Sequence, residues 1–190
     1  MDLLLGVFSA FGLSASAGLN AYIPLLVVGV VDHYFPHLLN LSEPWDLIAN
    51  PYILILLGIL VIIEMLADKV PAVNHINDVI QTFIRPAAGA IAFAASAKVI
   101  TDINPVLALA CGLLVAGSVH AVKSVAVRPA VTAVTAGAGN VPVSIAEDIA
   151  STVISILALV IPIVMGVVLI IAISLVLLWW WKRQDKAQPA

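Results

Sequence analysis

Two carboxylates lie at the end of a long apolar stretch. Glu64 follows the thirteen uncharged residues that begin the span at Pro51, and Asp68 comes four residues later, on the same face of a helix. An aspartate at the centre of a helix in hydrocarbon costs at least about 2.5–3.5 kcal/mol on insertion scales. Such a group persists where it pairs with a cation, binds an ion or passes protons, so Glu64 and Asp68 are the first candidates for a polar site.

Basic and amide side chains follow at once. Lys69 is the next residue, and the segment after it carries Asp78 and Gln81 at helical spacing on one face and ends at Arg85. This pattern is typical of an amphipathic helix, over residues 72–85, at the membrane interface or along a polar cavity. The plain alternative is a cytoplasmic surface helix whose charges are solvated.

A second group of polar residues lies further along the chain. His120 and Lys123 are three residues apart and therefore neighbours on a helix, and the pair Glu147 and Asp148 follows a stretch rich in Gly and Thr. A discontinuous helix that lines a binding site has this pattern. An ordinary loop has it too, if Ser144 caps the next helix with Glu147 as its partner in a capping box.

Metal binding and catalysis receive only weak support from these residues. Carboxylates and His can bind metals, but the sequence has no His-x-x-x-His, Cys-x-x-Cys or Asp-rich loop, so metal binding stays open. No Gly-x-Ser-x-Gly, P-loop or His-Glu-x-x-His motif is present, and we expect no cofactor. The lone Cys111 is expected to pack, and the scattered Lys and Arg form no nucleic-acid patch.

The composition shows what kind of element must position these groups. Of the 190 residues, 63% are hydrophobic and 10% charged, and the mean hydropathy is +1.16; a soluble domain is typically about 45–50% apolar and about 25% charged. We therefore predict an all-α integral membrane protein in the lipid bilayer. At about 20 residues per spanning helix, residues 1–190 leave room for a single polytopic membrane domain.

Six stretches are predicted to cross the membrane. The first is too long for one straight helix, and Asn20 and Pro24 in its middle predict a broken or kinked helix whose break faces the protein interior. The six stretches are residues 3–31, 51–67, 87–100, 105–122, 149–165 and 166–181.

Charge predicts the orientation of these spans. An N-in, C-in arrangement puts most basic residues, including the C-terminal Lys182, on the cytoplasmic side, and the acidic loop 32–50 outside. This predicts a multi-pass protein of the inner, cytoplasmic membrane. Small-residue stretches such as residues 87–90 allow close helix packing, within the chain or between protomers of a homo-oligomer.

The sequence also contains an internal echo. Asn50-Pro51, followed by Gly58 and Lys69, matches Asn104-Pro105, Gly112 and Lys123 at a constant offset of 54 residues. Two spans thus start and end alike. This indicates parallel copies related by a pseudo-two-fold axis along the membrane normal, although apolar segments also match by chance.

Taken in order, the polar motifs resemble a known family. They are Gly18-Leu-Asn-Ala-Tyr-Ile-Pro24, Glu64-x-x-Ala-Asp-Lys69-x-Pro71, Asn77-Asp78-x-x-Gln81, Arg85-Pro-Ala-Ala-Gly89, His120-x-x-Lys123 and Glu147-Asp148. From about Gly12 to Trp181 the chain is similar to the bacterial membrane-protein family catalogued as domain of unknown function 4126. The resemblance implies a small polytopic membrane protein and names no activity.

Our first hypothesis is a small transporter or channel-like permease for an ion or small polar solute. Glu64 and Asp68 would bind a cation or relay protons, the two lysines would balance them, and Arg85 and His120 would close the site. The predicted path comprises Asn20, Glu64, Asp68, Lys69, Asp78, Gln81, Arg85, His120, Lys123, Glu147 and Asp148.

Two alternatives remain open at this point. A non-transporting scaffold or lipid-binding protein would use its basic residues, such as Arg85 and Arg128, on lipid headgroups. An intramembrane enzyme would require His120 within hydrogen-bond reach of Glu147 or Asp148.

Overall fold

The structure, a computed structural model, describes residues 2–41, 43–97 and 104–185. Within these ranges the secondary structure is helical, and no strand is present among them. The predicted all-α class is therefore confirmed. Lys98 and the end of the predicted span 87–100 lie outside the described residues.

The described part of the chain contains eight α-helices. A short 3-10 helix, Trp45–Ala49, precedes α3, and a π-helical turn, Lys123–Val127, joins α5 to α6. The α-helices are α1 Asp2–Leu19, α2 Tyr22–Tyr34, α3 Pro51–Ala67, α4 Pro71–Ala97, α5 Pro105–Val122, α6 Arg128–Thr135, α7 Asn140–Val160 and α8 Pro162–Asp185.

The helices have the length and composition of membrane-spanning segments. Among the described residues, four stretches are long and apolar enough to cross: Asn77–Ser96, Pro105–Thr135, Asn140–Val160 and Pro162–Trp179. Three shorter apolar helices accompany them: Leu4–Leu19, Tyr22–Tyr34 and Pro51–Ala67. Large aliphatic side chains cover the exposed surface of α3 and α8. The molecule is thus a membrane protein, as its composition predicts.

Helix α1 lies at the centre and packs against α4, α5, α7 and α8. Small residues let the backbones approach closely: a side chain at Gly89 of α4 would collide with Ala116 of α5, and one at Gly112 with the carbonyl of Gly89. The Ser14 hydroxyl donates a 2.7 Å hydrogen bond to the Gly112 carbonyl. The small-residue stretch of α4 is therefore used inside the chain.

The contacts of α4 fix the direction of α3 relative to α1. Phe93, late in α4, stacks edge-on against Phe11 of α1, and Gly89 lies against Ser14, so α4 runs antiparallel to α1. Glu64 and then Asp68 of the α3 end meet Arg85 and then Asn77 of α4, so α3 also runs antiparallel to α4. Helices α1 and α3 therefore run in the same direction.

Helix α2 runs back from the end of α1. Its start meets Glu64, near the end of α3, through the backbone of Ala21, and its Gly29 lies against Leu54, near the start of α3. Because α2 is antiparallel to α3, it is also antiparallel to α1. The two helices form a hairpin whose tip is Asn20 and Ala21.

This hairpin corrects two predictions. The chain does break at Asn20, with the break inside the protein, but residues 3–31 do not form one crossing that continues past the break. The predicted N-in topology placed the N-terminus on the same side as Lys69 and Lys123, whereas α1 begins at the opposite end of the bundle. The sequence predicts where the helix breaks, but the reversal of α2 relative to α1 depends on Glu64 and Lys123, which bond the tip.

Three helix boundaries also differ from the prediction. Helix α4 is continuous through Pro86, so the predicted interfacial helix 72–85 and span 87–100 share one helix, packed against α1 and α5. Helix α7 begins at Asn140, well before 149. The last apolar run divides at Ile161 and not at 165, because Pro162 has no N–H to continue α7 and suits the first position of α8.

The two segments of the internal echo start alike in the structure. The side chain of Asn50 caps α3 by accepting from the Tyr52 N–H at 2.9 Å, and that of Asn104 caps α5 by accepting from the Val106 N–H at 2.8 Å. Each helix has Pro as its first residue. A duplication of the chain stays a prediction.

Candidate functional site

The hairpin tip leaves backbone groups that charged side chains satisfy. At the end of α1, the Leu19 carbonyl accepts a hydrogen bond from Lys123 Nζ at 3.0 Å. At the start of α2, the Ala21 N–H donates to Glu64 Oε2 at 3.2 Å, and Asn20 Oδ1 caps the next two N–H groups. A cation therefore lies at a helix C-terminus and an anion at a helix N-terminus, as the helix dipoles favour.

Glu64 and Arg85 form the innermost ion pair. Arg85 Nη2 and Nε lie 2.9 and 3.2 Å from Glu64 Oε1, and the two side chains are 0% and 1% exposed. Arg85 Nη2 also lies 3.6 Å from Asp68 Oδ2. Arg85 is therefore shared between the two carboxylates of α3 that the sequence singles out.

Arg128 joins three carboxylates of α3, α4 and α7, one of which, Asp68, it shares with Arg85. Its guanidinium lies 2.9 Å from Asp68 Oδ2, 3.3 Å from Asp78 Oδ1 and 3.3 Å from Glu147 Oε2. Lys123 lies 2.8 Å from Glu147 Oε2 and 3.8 Å from Asp68 Oδ2. These pairs connect α3, α4, α5, α6 and α7.

The π-helical turn explains how Lys123 and Arg128 reach the same carboxylates. The Arg128 N–H donates to the carbonyl of Lys123, five residues back, which is the bond that defines a π turn. In a regular α-helix, residues five apart point to different sides. The wider turn brings both cations to one face.

Asp148 forms a second group beside the hairpin tip. Its Oδ1 accepts from Asn20 Nδ2 at 3.0 Å, and its Oδ2 lies 3.2 Å from Lys69 Nζ. Lys69 Nζ also donates to the Met65 carbonyl at 2.8 Å. With about a quarter of its side chain exposed, Lys69 is more accessible than the other three cations of the site.

His120 is neutral by the logic of its hydrogen bonds. Its Nδ1 lies 3.2 Å from Arg85 Nη1, and a guanidinium can only donate, so Nδ1 accepts and carries no proton. Nε2 then donates to Thr82 Oγ1 at 3.2 Å, and that hydroxyl donates to the Asp78 carbonyl at 2.8 Å. This chain of bonds assigns the tautomer.

We call these residues the polar cluster. Of the described residues it contains five carboxylates and four basic side chains, so with His120 neutral it carries one net negative charge when all are ionised. Its members are Asn20, Glu64, Asp68, Lys69, Asp78, Gln81, Arg85, His120, Lys123, Arg128, Glu147 and Asp148.

Gln81 and Asp68 differ in how well they are satisfied. Gln81 is buried, and its Oε1 has no hydrogen-bond partner in the described part of the chain. Asp68 also accepts from Asn77 at 2.7 Å and from Ser144 at 3.4 Å. Burial raises the pKa of Asp68, but nearby Lys123, Arg128 and Arg85 outweigh it and hold that pKa below the ordinary 3.8.

All eleven residues of the predicted path thus lie in one region. Whether they bind a solute stays a prediction. Sequence reasoning missed Arg128 as a member, because only the π turn aligns it with Lys123. Ser144 lies inside α7 and donates to Asp68, so the alternative in which it caps α7 with Glu147 as its partner is wrong.

The contacts bear on the alternative hypotheses as well. Arg85 and Arg128 are buried and paired, so neither is displayed for a lipid headgroup. His120, Glu147 and Asp148 are all described, and no hydrogen bond joins the imidazole to either carboxylate. The described residues contain no group of three or more His, Cys, Asp or Glu placed to hold a metal.

A groove opens beside Asp148 between α2, α3 and α7. Its volume is about 280 Å³, and its walls are apolar except for Asp148 and Thr152. Ile23 and Val27 of α2, Val61 and Met65 of α3, and Ile149 of α7 are among the residues that line it. Asp148 therefore belongs both to the polar cluster and to the wall of an apolar groove.

These features define a multi-pass α-helical membrane protein with a buried charged cluster at the tip of a helical hairpin. The family model for the domain of unknown function (DUF4126) matches residues 7–183, and the chain belongs to that family. No curated protein and no solved structure matches it.

Proposed function

We propose that this protein is a small permease that moves an ion, most directly a cation, or a small polar solute across the inner membrane. The observation that carries the proposal is the excess of one carboxylate over the basic side chains of the polar cluster. A buried net charge is costly. A cation or proton that binds there removes this cost.

The hairpin supports the same proposal. Broken helices whose ends face ions near the membrane midplane are a mark of secondary transporters, and irregular backbone is tolerated there only inside protein or beside a cavity. Here Lys123 and Glu64 occupy the two helix ends. In this proposal the ion-paired cluster is the closed state, in which the protein's own charges occupy the positions that a transported ion would take.

The basic residues suggest the orientation. With the cluster end facing the cytoplasm, Lys69, Arg85, Lys123 and Arg128 obey the positive-inside rule. Helices α3, α4, α5 with α6, α7 and α8 then give five crossings and a C-terminus inside. Helix α2 runs back antiparallel to α1, so the hairpin enters and leaves on the outer side, in place of the sixth crossing.

The experiment is flux into proteoliposomes under an imposed pH or potassium gradient. We expect flux with the wild type, and its loss in Glu64→Gln and Asp68→Asn, because each change removes the excess negative charge. Asp46→Asn alters an exposed carboxylate outside the cluster and is the matched control. It should carry flux like the wild type.

Loss of flux in Glu64→Gln could also follow from misfolding, because Arg85 loses its partner. Gln81 forms no ion pair, and Gln81→Met keeps the size of its side chain while it removes the unpartnered Oε1. We expect this variant to fold like the wild type, by helical content and gel filtration, and to lower flux. Wild-type protein without flux across hydrogen, sodium and potassium ions, or full flux in all three cluster variants, would refute the proposal.

A further inference from the structure

Two residues that line the groove between α2, α3 and α7 already hold an ammonium group. Lys69 Nζ lies between Asp148 Oδ2, at 3.2 Å, and the Met65 carbonyl, at 2.8 Å. Both of these residues line the groove. The Met65 carbonyl belongs to the last turn of α3, and the Lys69 N–H bonds to Leu66 instead, so this acceptor is available to a cation, which the helix C-terminus favours.

From this arrangement we propose that the groove binds a single-chain amphiphile with an ammonium head, such as an alkylamine. Its ammonium would replace that of Lys69 between Asp148 and the Met65 carbonyl, and its chain would lie along Ile23, Val61 and Ile149. The inference rests on the proposed function in one respect, since it names the class of cation that the polar cluster takes.

The chemistry of the groove favours this ligand over others. Apolar walls suit a hydrocarbon chain, and a volume of about 280 Å³ lies at the small end of ligand sites, which suits a short single chain. The carboxylate at the end of the groove repels an anionic head. An ammonium head that displaces Lys69 keeps Asp148 paired with a cation. A neutral head in the same position would leave Asp148 without one.

Lys69 can make way because it is the most exposed cation of the polar cluster. About a quarter of its side chain is accessible, and its four-carbon stem is flexible. In this view Lys69 competes with the ligand for one position. Removing the lysine should then strengthen amine binding, whereas a lysine that only stabilises the fold would give no such gain.

The test uses the full chain in phosphatidylcholine nanodiscs, with thermal unfolding followed by circular dichroism. We expect n-octylammonium to raise the unfolding temperature of the wild type saturably, and n-octanol and n-octanoate not to do so. Asp148→Asn should lose the response. Lys69→Met should respond at a concentration roughly tenfold lower, because no internal competitor occupies the position.

A pair of tryptophan variants separates the groove from the rest of α7. Ile149→Trp fills the groove and should abolish the octylammonium response, while Ile156→Trp places the same side chain at another exposed position of α7, outside the groove lining, and should keep it. Neither change replaces a charged residue. The response of Lys69→Met cannot arise from misfolding, because it is a gain.

Five results would overturn the inference. An equal response to octanol would make the groove a seat for bilayer lipid chains, and a preference for octanoate would make Lys69 the recognition group. A change of oligomeric state in Ile149→Trp would make the groove an interface with a second copy. If Lys69→Met responded to octylammonium only at the wild-type concentration, the lysine and the ligand would not compete for one position. Flux of inorganic cations without octylammonium binding refutes this inference alone, and binding without flux refutes only the proposed function.

Discussion

Replacement of Arg85 by methionine tests the innermost ion pair most directly. The change keeps an apolar stem of similar length and removes the group that lies 2.9 Å from Glu64 Oε1. Glu64, 1% exposed, then has no cation at hydrogen-bond distance among the described residues, and His120 Nδ1 loses its donor. The folded protein should therefore be less stable, because a buried carboxylate is left without its partner.

The size of the effect follows from this burial. Removing one partner of a buried ion pair costs about 3–5 kcal/mol, because the other charge is left uncompensated. For a chain of this length, each kcal/mol lowers the unfolding temperature by about 2–4 °C. Arg85→Met should therefore lower it by about 6–20 °C, and the double variant with Glu64→Gln should recover much of the loss, since no buried charge is left at that position.

Thermal unfolding in nanodiscs, followed by circular dichroism, measures both effects. Lys182→Met is the matched control, because Lys182 is exposed near the end of α8 and its loss should change stability by less than about 0.5 kcal/mol. An unfolding temperature of Arg85→Met equal to that of the control would refute the burial of the pair. A double variant no more stable than Arg85→Met alone would refute the coupling between the two side chains.

Two further predictions concern helix packing. Gly112→Ala should destabilise the protein by about 1–3 kcal/mol, because its methyl group would meet the Gly89 backbone. Gly58→Ala, at the equivalent position of the internal echo, places its methyl group in open space and should be neutral or stabilising. Equal effects of the two changes on thermal unfolding would contradict this packing. Ser16→Ala removes the hydroxyl that joins two buried serines of α7 at 2.7 Å and should cost about 1–3 kcal/mol, while the exposed Ser174→Ala is the control and should have little effect.

The residues of the polar cluster could be found from the sequence, because charge in an apolar context is conspicuous. Glu64 and Asp68 are costly in hydrocarbon, so they require partners, and few basic residues are available. The helix starts at Asn50 and Asn104 also follow from local chemistry, since Asn suits the N-cap and the Pro that follows it suits the first helical position. Such features depend on residues close in the chain.

The course of the backbone around the cluster was less predictable. Asn20 and Pro24 mark a break, but the reversal depends on Glu64 and Lys123, which are distant in sequence and hold the two helix ends. No local sequence pattern predicts the π turn that includes Lys123. The contacts of Lys123 with Glu147 and the Leu19 carbonyl, which are distant in sequence, accompany it. The sequence predicted separate helices over residues 72–85 and 87–100, yet α4 is continuous through Pro86 and packs against α1 and α5.

The hairpin tip and the charges of the polar cluster depend on each other. Glu64 holds Arg85 and also the first N–H of α2, and Lys123 holds Glu147 and also the last carbonyl of α1. Under the proposed function, a cation that pairs with Glu64 would compete with the Ala21 N–H for that carboxylate, and one that displaces Lys123 would remove the donor to the Leu19 carbonyl. The same two side chains thus bond both the hairpin tip and the other charges of the cluster.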